Sequence, residues 1–152
     1  NRIKYVLHPI VSAQVNDFDK NDYVDIIPAV GDMSYETMFR ESSLMVTDFS
    51  GIQFDFAYMR KPLVYLHHKD IPQHYEEGTF FYDTMAFGEI AHDNDELIDL
   101  LCEYMASGCK MKEEYVRRAD DFFYYNDHNN CKRIYDTMIE YQEKKIIPYR
   151  QK

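Results

Sequence analysis

The chain has 152 residues, 45% of them hydrophobic and 16% aromatic, and its 17 Lys+Arg against 27 Asp+Glu give a formal net charge of −10. That length suits a single domain with a substantial core, so global disorder is excluded. No apolar run approaches the roughly 18 residues of a membrane span, and so acidic a surface has no general footprint for nucleic acid or anionic lipid. The charge is uneven: residues 1–109 hold 7 basic and 19 acidic side chains, residues 110–152 hold 10 and 8. An anionic ligand must therefore be gripped locally.

Ile3 to Leu7 is β-prone and stops at His8-Pro9, where proline's missing donor ends a ladder. Tyr23 to Ile27 repeats the pattern and stops at Pro28. After the Gly31-Asp32 turn, the helical spacing of Tyr35, Met38 and Phe39 predicts a short helix to about Glu41. Ser43 to Thr47 reads as a third strand that runs into Asp48-Phe49-Ser50-Gly51. Ile52 to Met59 then reads as a helix with scarcely a polar face. Ser50 with Gln53 matches a capping box and Phe49 with Phe54 the accompanying hydrophobic staple, which puts the helix start at Ser50. Lys61-Pro62 ends it, and Leu63 to Leu66 is a fourth strand. Strands alternating with helices through short connections predict a parallel sheet in an α/β domain.

From His67 to Asn94 the pattern fails, which predicts a long functional loop in a segment this rich in aromatics. Leu97, Ile98, Leu101, Tyr104 and Met105 predict an amphipathic helix closed by Gly108. A second helix is expected over about 112–123, and a third from Asn129 or Asn130 to about Lys144. The chain thus reads as one domain, 1–152, with a β/α core over 1–94 and a helical part over 95–152. Cys102, Cys109 and Cys131 are odd in number and lack zinc-type C-x-x-C spacing, which fits a reducing compartment. The opening at Asn1 directly into a strand reads as a segment cut from a longer chain.

The candidate chemistry centres on the corner Asp48-Phe49-Ser50-Gly51. A helix start beyond the carboxyl end of a parallel strand offers free N–H groups to a phosphate, and Gly51 removes side-chain bulk there. A plain capped helix is the competing reading. Asp55 is a carboxylate in the otherwise apolar stretch Phe54 to Ala57 and reads as a buried charge, which suggests a partner such as ligand hydroxyls, with an internal salt bridge as the alternative. His8, at a strand's carboxyl end beside a proline, is placed to donate to a phosphate or take a proton, with an ordinary surface histidine as the alternative. His67, His68 and His74 lack ligand spacing with a carboxylate, so no metal site is expected. Lys132 and Arg133 are candidates to clamp an anion, with a solvated basic pair as the alternative.

His8-Pro9, the run Val46-Thr47-Asp48-Phe49-Ser50-Gly51-Ile52-Gln53-Phe54-Asp55-Phe56-Ala57, Lys61-Pro62-Leu63-Val64-Tyr65, Glu77-Gly78-Thr79-Phe80-Phe81-Tyr82-Asp83 and Asn126-Asp127 to Lys132-Arg133-Ile134 resemble, in order, the C-terminal nucleotide-binding half of the CDP-glycerol glycerophosphotransferases. These are teichoic-acid polymerases and primases and their capsule-making relatives in bacteria. The resemblance implies a Rossmann-like parallel sheet flanked by helices, the C-terminal half of a GT-B transferase, and a donor such as CDP-glycerol or a related CDP-polyol. It implies that an acceptor hydroxyl of a polymer or lipid-linked acceptor attacks the glycerol-bearing phosphorus and expels CMP, with no cofactor. By position, His8 would contact the diphosphate or assist proton transfer. Ser50 and the Gly51 N–H would hold phosphate, Asp48 belonging to the same corner. Asp55 would bond donor hydroxyls or order the corner, and Lys132 and Arg133 would sit near the diphosphate or dock the last helix.

Three positions depart from the family pattern. Gly51 stands for a second serine, Glu77-Gly78 for Arg-Gly, and Phe87-Gly88-Glu89-Ile90 for a Pro-Gly-Pro segment. The expectation is a donor-binding portion whose acceptor domain lies elsewhere, cytoplasmic or attached to the inner membrane face through other segments, with little transferase activity when isolated. The alternatives are a noncatalytic docking or regulatory module and the donor half of a nucleotide-sugar glycosyltransferase, for fold does not fix chemistry.

Overall fold

A computed structural model describes residues 2–19, 21–28, 34–71, 78 and 80–144. The chain forms two compact units, Asn1–Ser42 and Ser43–Lys152. Both are α/β, with parallel strands and flanking helices.

In the first unit β1 (Ile3–Val6) and β2 (Val24–Ile27) pair in parallel, with Ile3 opposite Val24 and Val6 opposite Ile27. The ladder continues one step, Leu7 N–H donating to the Ile27 carbonyl at 2.9 Å. Proline at position 9 then diverts the chain into a 3-10 helix, Pro9–Asp17, an element absent from the sequence reading. Helix α1 (Tyr35–Glu41) is capped by Ser34, whose hydroxyl accepts from the Thr37 N–H at 3.2 Å, and Lys4 of β1 pairs with its Glu41.

The second unit holds a three-stranded parallel sheet in the order β3-β4-β5, from Met45–Thr47, Leu63–Leu66 and Glu89–Ala91. Central β4 is buried through Leu63, Val64 and Tyr65, as its unbroken apolar run requires. Helix α2 (Ile52–Tyr58) links β3 to β4. The segment 67–94, expected as a long loop, instead carries a helical turn, α3 (Tyr82–Met85), and the strand β5. Three residues with one β-branched side chain are too short for alternation to register. Gly88 makes the pairing possible, because a Cβ there would stand 1.8 Å from the Leu63 carbonyl oxygen.

Helix α4 (Asn94–Ala106) lays Leu97, Leu100, Leu101 and Tyr104 over Val64 and Ala91 to form the core. Asp93 caps it, accepting from the Glu96 N–H at 3.0 Å, while Glu96 accepts from the His92 N–H at 2.7 Å. Gly108, at φ +78, takes the left-handed turn that closes the helix. Helices α5 (Glu113–Phe122) and α6 (Asn130–Glu143) follow within two residues of their expected bounds. Lys112 ties the elements together by pairing with Glu89 of β5 and with Glu103 of α4 at 2.8 Å. Glu89 also accepts from the Tyr104 hydroxyl at 2.6 Å.

Candidate functional site

Parallel pairing brings the carboxyl ends of three strands to one edge: Asp48–Gly51 after β3, His67 after β4, and His92 after β5. Open α/β sheets bind ligands along this edge, where strands hand over to helices. The corner after β3 does not form the expected capping box. The helix begins at Ile52, with Gly51 at φ −63 and ψ −17 as its cap residue and no side-chain cap bond. The reason is the fate of Gln53, which is 3% exposed. Its Oε1 accepts from the Tyr65 hydroxyl at 2.7 Å and its Nε2 donates to the Tyr82 hydroxyl at 3.3 Å. A buried carboxamide must be satisfied internally, and it cannot also reach back to the corner.

The Ser50 carbonyl accepts from the Gln53 N–H at 3.3 Å, while the Ser50 hydroxyl makes no hydrogen bond among the described residues. The hydroxyl is therefore available to a ligand rather than consumed by a cap. Nor does the expected staple bring Phe49 and Phe54 together as a pair of their own. Phe49 stacks on the His67 ring with centroids 4.1 Å apart, whereas Phe54 packs among Phe80, Phe87 and Phe122.

His67 is the feature that sequence reasoning weighed only as a metal ligand. Its ring stacks on Phe49 and meets the Tyr82 ring nearly at a right angle, with centroids 4.6 Å apart. Its Nε2 is buried and has no partner among the described residues. Burial, with the neighbouring His92 adding to it, holds the imidazole below its usual pKa, against a smaller opposing pull from Asp48. The pattern that could have revealed it is the histidine directly after a buried parallel strand.

Asp55 is exposed, which corrects the expectation of a buried charge: it lies on the solvent side of α2 while Gln53, Phe56 and Ala57 take the inner side. The apolar run around it suggested burial, but the helical turn places adjacent residues on different faces. Asp55 lines an open crevice of about 400 Å³ with Asn130 and aromatic side chains of α2 and residues 122–125. Lys132 pairs with Asp136. Arg133 donates through Nη1 and Nη2 to both carboxylate oxygens of Asp127 at 3.0 and 2.7 Å, and its guanidinium lies 3.7 Å over the Tyr125 ring. That pair holds the Asp127 carboxyl far below its ordinary range. Arg133 thus ties the first turn of α6 to the residues just before it.

His8 belongs to the first unit, where its Nδ1 accepts from the Ile10 N–H at 3.2 Å and caps the 3-10 helix. With Nδ1 committed as an acceptor, the neutral ring carries its proton on Nε2 and presents a donor there. Glu77 and His74 lie outside the described residues. Among the described residues no group of three or more His, Cys, Asp or Glu comes together as metal ligands. A cavity of about 560 Å³ beside His92 is lined by Asp83, Glu89, Glu96 and Asp99 against Arg118, a balance that disfavours an anionic ligand. No helix among the described residues is long and apolar enough to cross a membrane.

Comparison with known proteins adds sequence relationships to this geometry. The family described as CDP-Glycerol:Poly(glycerophosphate) glycerophosphotransferase matches residues 2–140. The chain is 36% identical over 145 residues, 95% of its length, to the minor teichoic acid biosynthesis protein GgaB of Bacillus subtilis (strain 168), of which that stretch spans 16%. No solved structure matches.

Proposed function

This chain belongs to the CDP-glycerol:poly(glycerophosphate) glycerophosphotransferase family, and on that premise we propose that it is the donor-binding portion of a transferase. The donor would be CDP-glycerol or a related CDP-polyol, and the transfer of its polyol phosphate to an acceptor hydroxyl would extend a teichoic-acid-type polymer. In this reading the chain is the Rossmann-like C-terminal half of a GT-B arrangement. The observation that carries it is the Ser50 hydroxyl, without a hydrogen bond among the described residues, at the carboxyl edge of the sheet, the edge where His67 follows β4 with an Nε2 that has no partner among the described residues.

The roles follow from available groups. Ser50 and the Gly51 N–H hold a phosphate oxygen, with Asp48 fixing the corner. His8 offers its Nε2 proton to the diphosphate or takes part in proton transfer. Transfer of this kind asks for positioning and charge stabilisation rather than a covalent enzyme intermediate. Acceptor recognition falls to other parts of the parent enzyme, so the isolated chain is expected to bind donor without turning it over.

A noncatalytic docking module is favoured by one observation: Arg133, expected to reach the diphosphate, is occupied by Asp127 and Asn130. Calorimetric titration with CDP-glycerol, CDP-ribitol, CMP and a UDP-sugar separates the readings. The transferase reading expects CDP ligands to bind, with the binding lost in Ser50→Ala and His8→Ala. A folded chain that binds none of the four is the docking module, and preference for the UDP-sugar makes it a glycosyltransferase half.

A further inference from the structure

The crevice between α2 and residues 122–125 has a chemistry of its own. Tyr124 is 87% exposed and Tyr125 48%, and their rings meet edge to face, 4.7 Å between centroids at 89°. Two large rings left in water at a right angle form an open aromatic corner, the kind of exposed apolar surface that marks a binding site rather than a core. Beside them the Asp55 carboxylate has no hydrogen bond or ion pair among the described residues. Asn130 spends its Oδ1 on the Arg133 Nη2, at 2.7 Å, which leaves its amide N–H groups to donate.

Charge narrows the ligand. A phosphate would meet the Asp55 carboxylate, and the two guanidinium groups over rings that line the crevice, Arg133 and Arg60, are already paired with Asp127 and Asp120. A cationic amine would compete with Arg133, whose guanidinium covers one face of Tyr125 at 3.7 Å. A flat nucleobase would stack on one ring of a right-angle corner and meet the other only by its thin edge. A pyranose carries C–H groups on its face and at its edge, and its hydroxyls both donate and accept. Those hydroxyls match a site whose polar groups are one pure acceptor, Asp55, and one spare donor, Asn130.

We propose that this crevice binds a neutral pyranose sugar unit, its C–H surfaces against Tyr124 and Tyr125 and its hydroxyls bridging Asp55 and Asn130. The site goes beyond the transfer reading and stands whether or not the Ser50 corner binds a nucleotide.

The test titrates the full 152-residue chain with methyl pyranosides of glucose, galactose and their 2-acetamido forms, with cytidine and glycerol 3-phosphate as comparison arms. Backbone amide resonances of Tyr124, Tyr125 and Asn130 report where each ligand sits. At least one pyranoside is expected to bind with a Kd on the order of millimolar and to move these resonances. Tyr124→Ala, at a position too exposed to support the fold, should weaken that binding about three- to tenfold, whereas Tyr124→Phe keeps the ring and stays within about twofold. Asp55→Asn should weaken it about tenfold. The proposal is overturned if none of the four pyranosides moves these resonances, if Tyr124→Ala leaves the binding unchanged, or if cytidine moves the same resonances at lower concentration. CDP-glycerol affinity lost in Ser50→Ala but kept in Tyr124→Ala would show that the two sites are separate.

Discussion

Gly51 is the residue whose replacement says most about the corner. Its backbone lies in the ordinary right-handed region, and a Cβ added there meets nothing within 4 Å. A serine should therefore be accepted without loss of stability, within about 0.5 kcal/mol by urea denaturation. If the corner holds a phosphate, Gly51→Ser adds a second hydroxyl and should tighten CDP-glycerol binding by about tenfold in calorimetry. Unchanged affinity in the folded variant would remove phosphate binding from this corner. Tyr65 makes the opposite case. Its buried hydroxyl donates to Gln53 and accepts from the Phe87 N–H at 3.2 Å, and burial raises its pKa far beyond the normal phenol value. Tyr65→Phe strands both partners and should lower stability by about 2 kcal/mol or more, read as a fall in the urea midpoint.

At the scale of elements, strands and helices with strong local patterns were legible and those held by a single contact were not. The unbroken apolar run Leu63–Leu66 could only be a buried strand, and it is β4 to the residue. Gly108 closes α4 with the left-handed turn that its place after the amphipathic run led one to expect. Strand β5 was hidden because its existence depends on Gly88 approaching Leu63, a tertiary fact with no local signature. The capping box at Ser50 and Gln53 was a true motif match with a false outcome, since Gln53 finds better partners in Tyr65 and Tyr82. Asp55 was misjudged because neighbouring residue types, not helical phase, set the expectation. Gly88→Ala tests the β5 argument: a methyl group there must push the strand off β4, and a loss of about 3 kcal/mol or more is expected in chemical denaturation. Full stability in that variant would mean the strands can separate without cost.

For the whole molecule, acid acts through two opposed effects. The net charge of −10 shrinks as pH falls toward the sequence pI of about 4.9, which relieves self-repulsion and alone would favour the folded state. His67 works the other way. In the unfolded chain its imidazole takes a proton near the ordinary value of 6.5, but in the fold burial and His92 hold its pKa lower. Between those two values the unfolded state binds more protons, so stability is full above the unfolded value and declines as pH falls toward the folded one. Thermal unfolding followed by tyrosine fluorescence should accordingly show Tm dropping as the pH falls below about 6.5. His67→Phe keeps a ring against Phe49 and removes the titration, so its Tm should stay level or rise over the same range. His92→Gln removes a charge that opposes His67 protonation, brings the folded pKa closer to 6.5, and should make the decline shallower. A His67→Phe profile that falls as steeply as the parent's would assign the acid sensitivity to the chain's carboxylates instead.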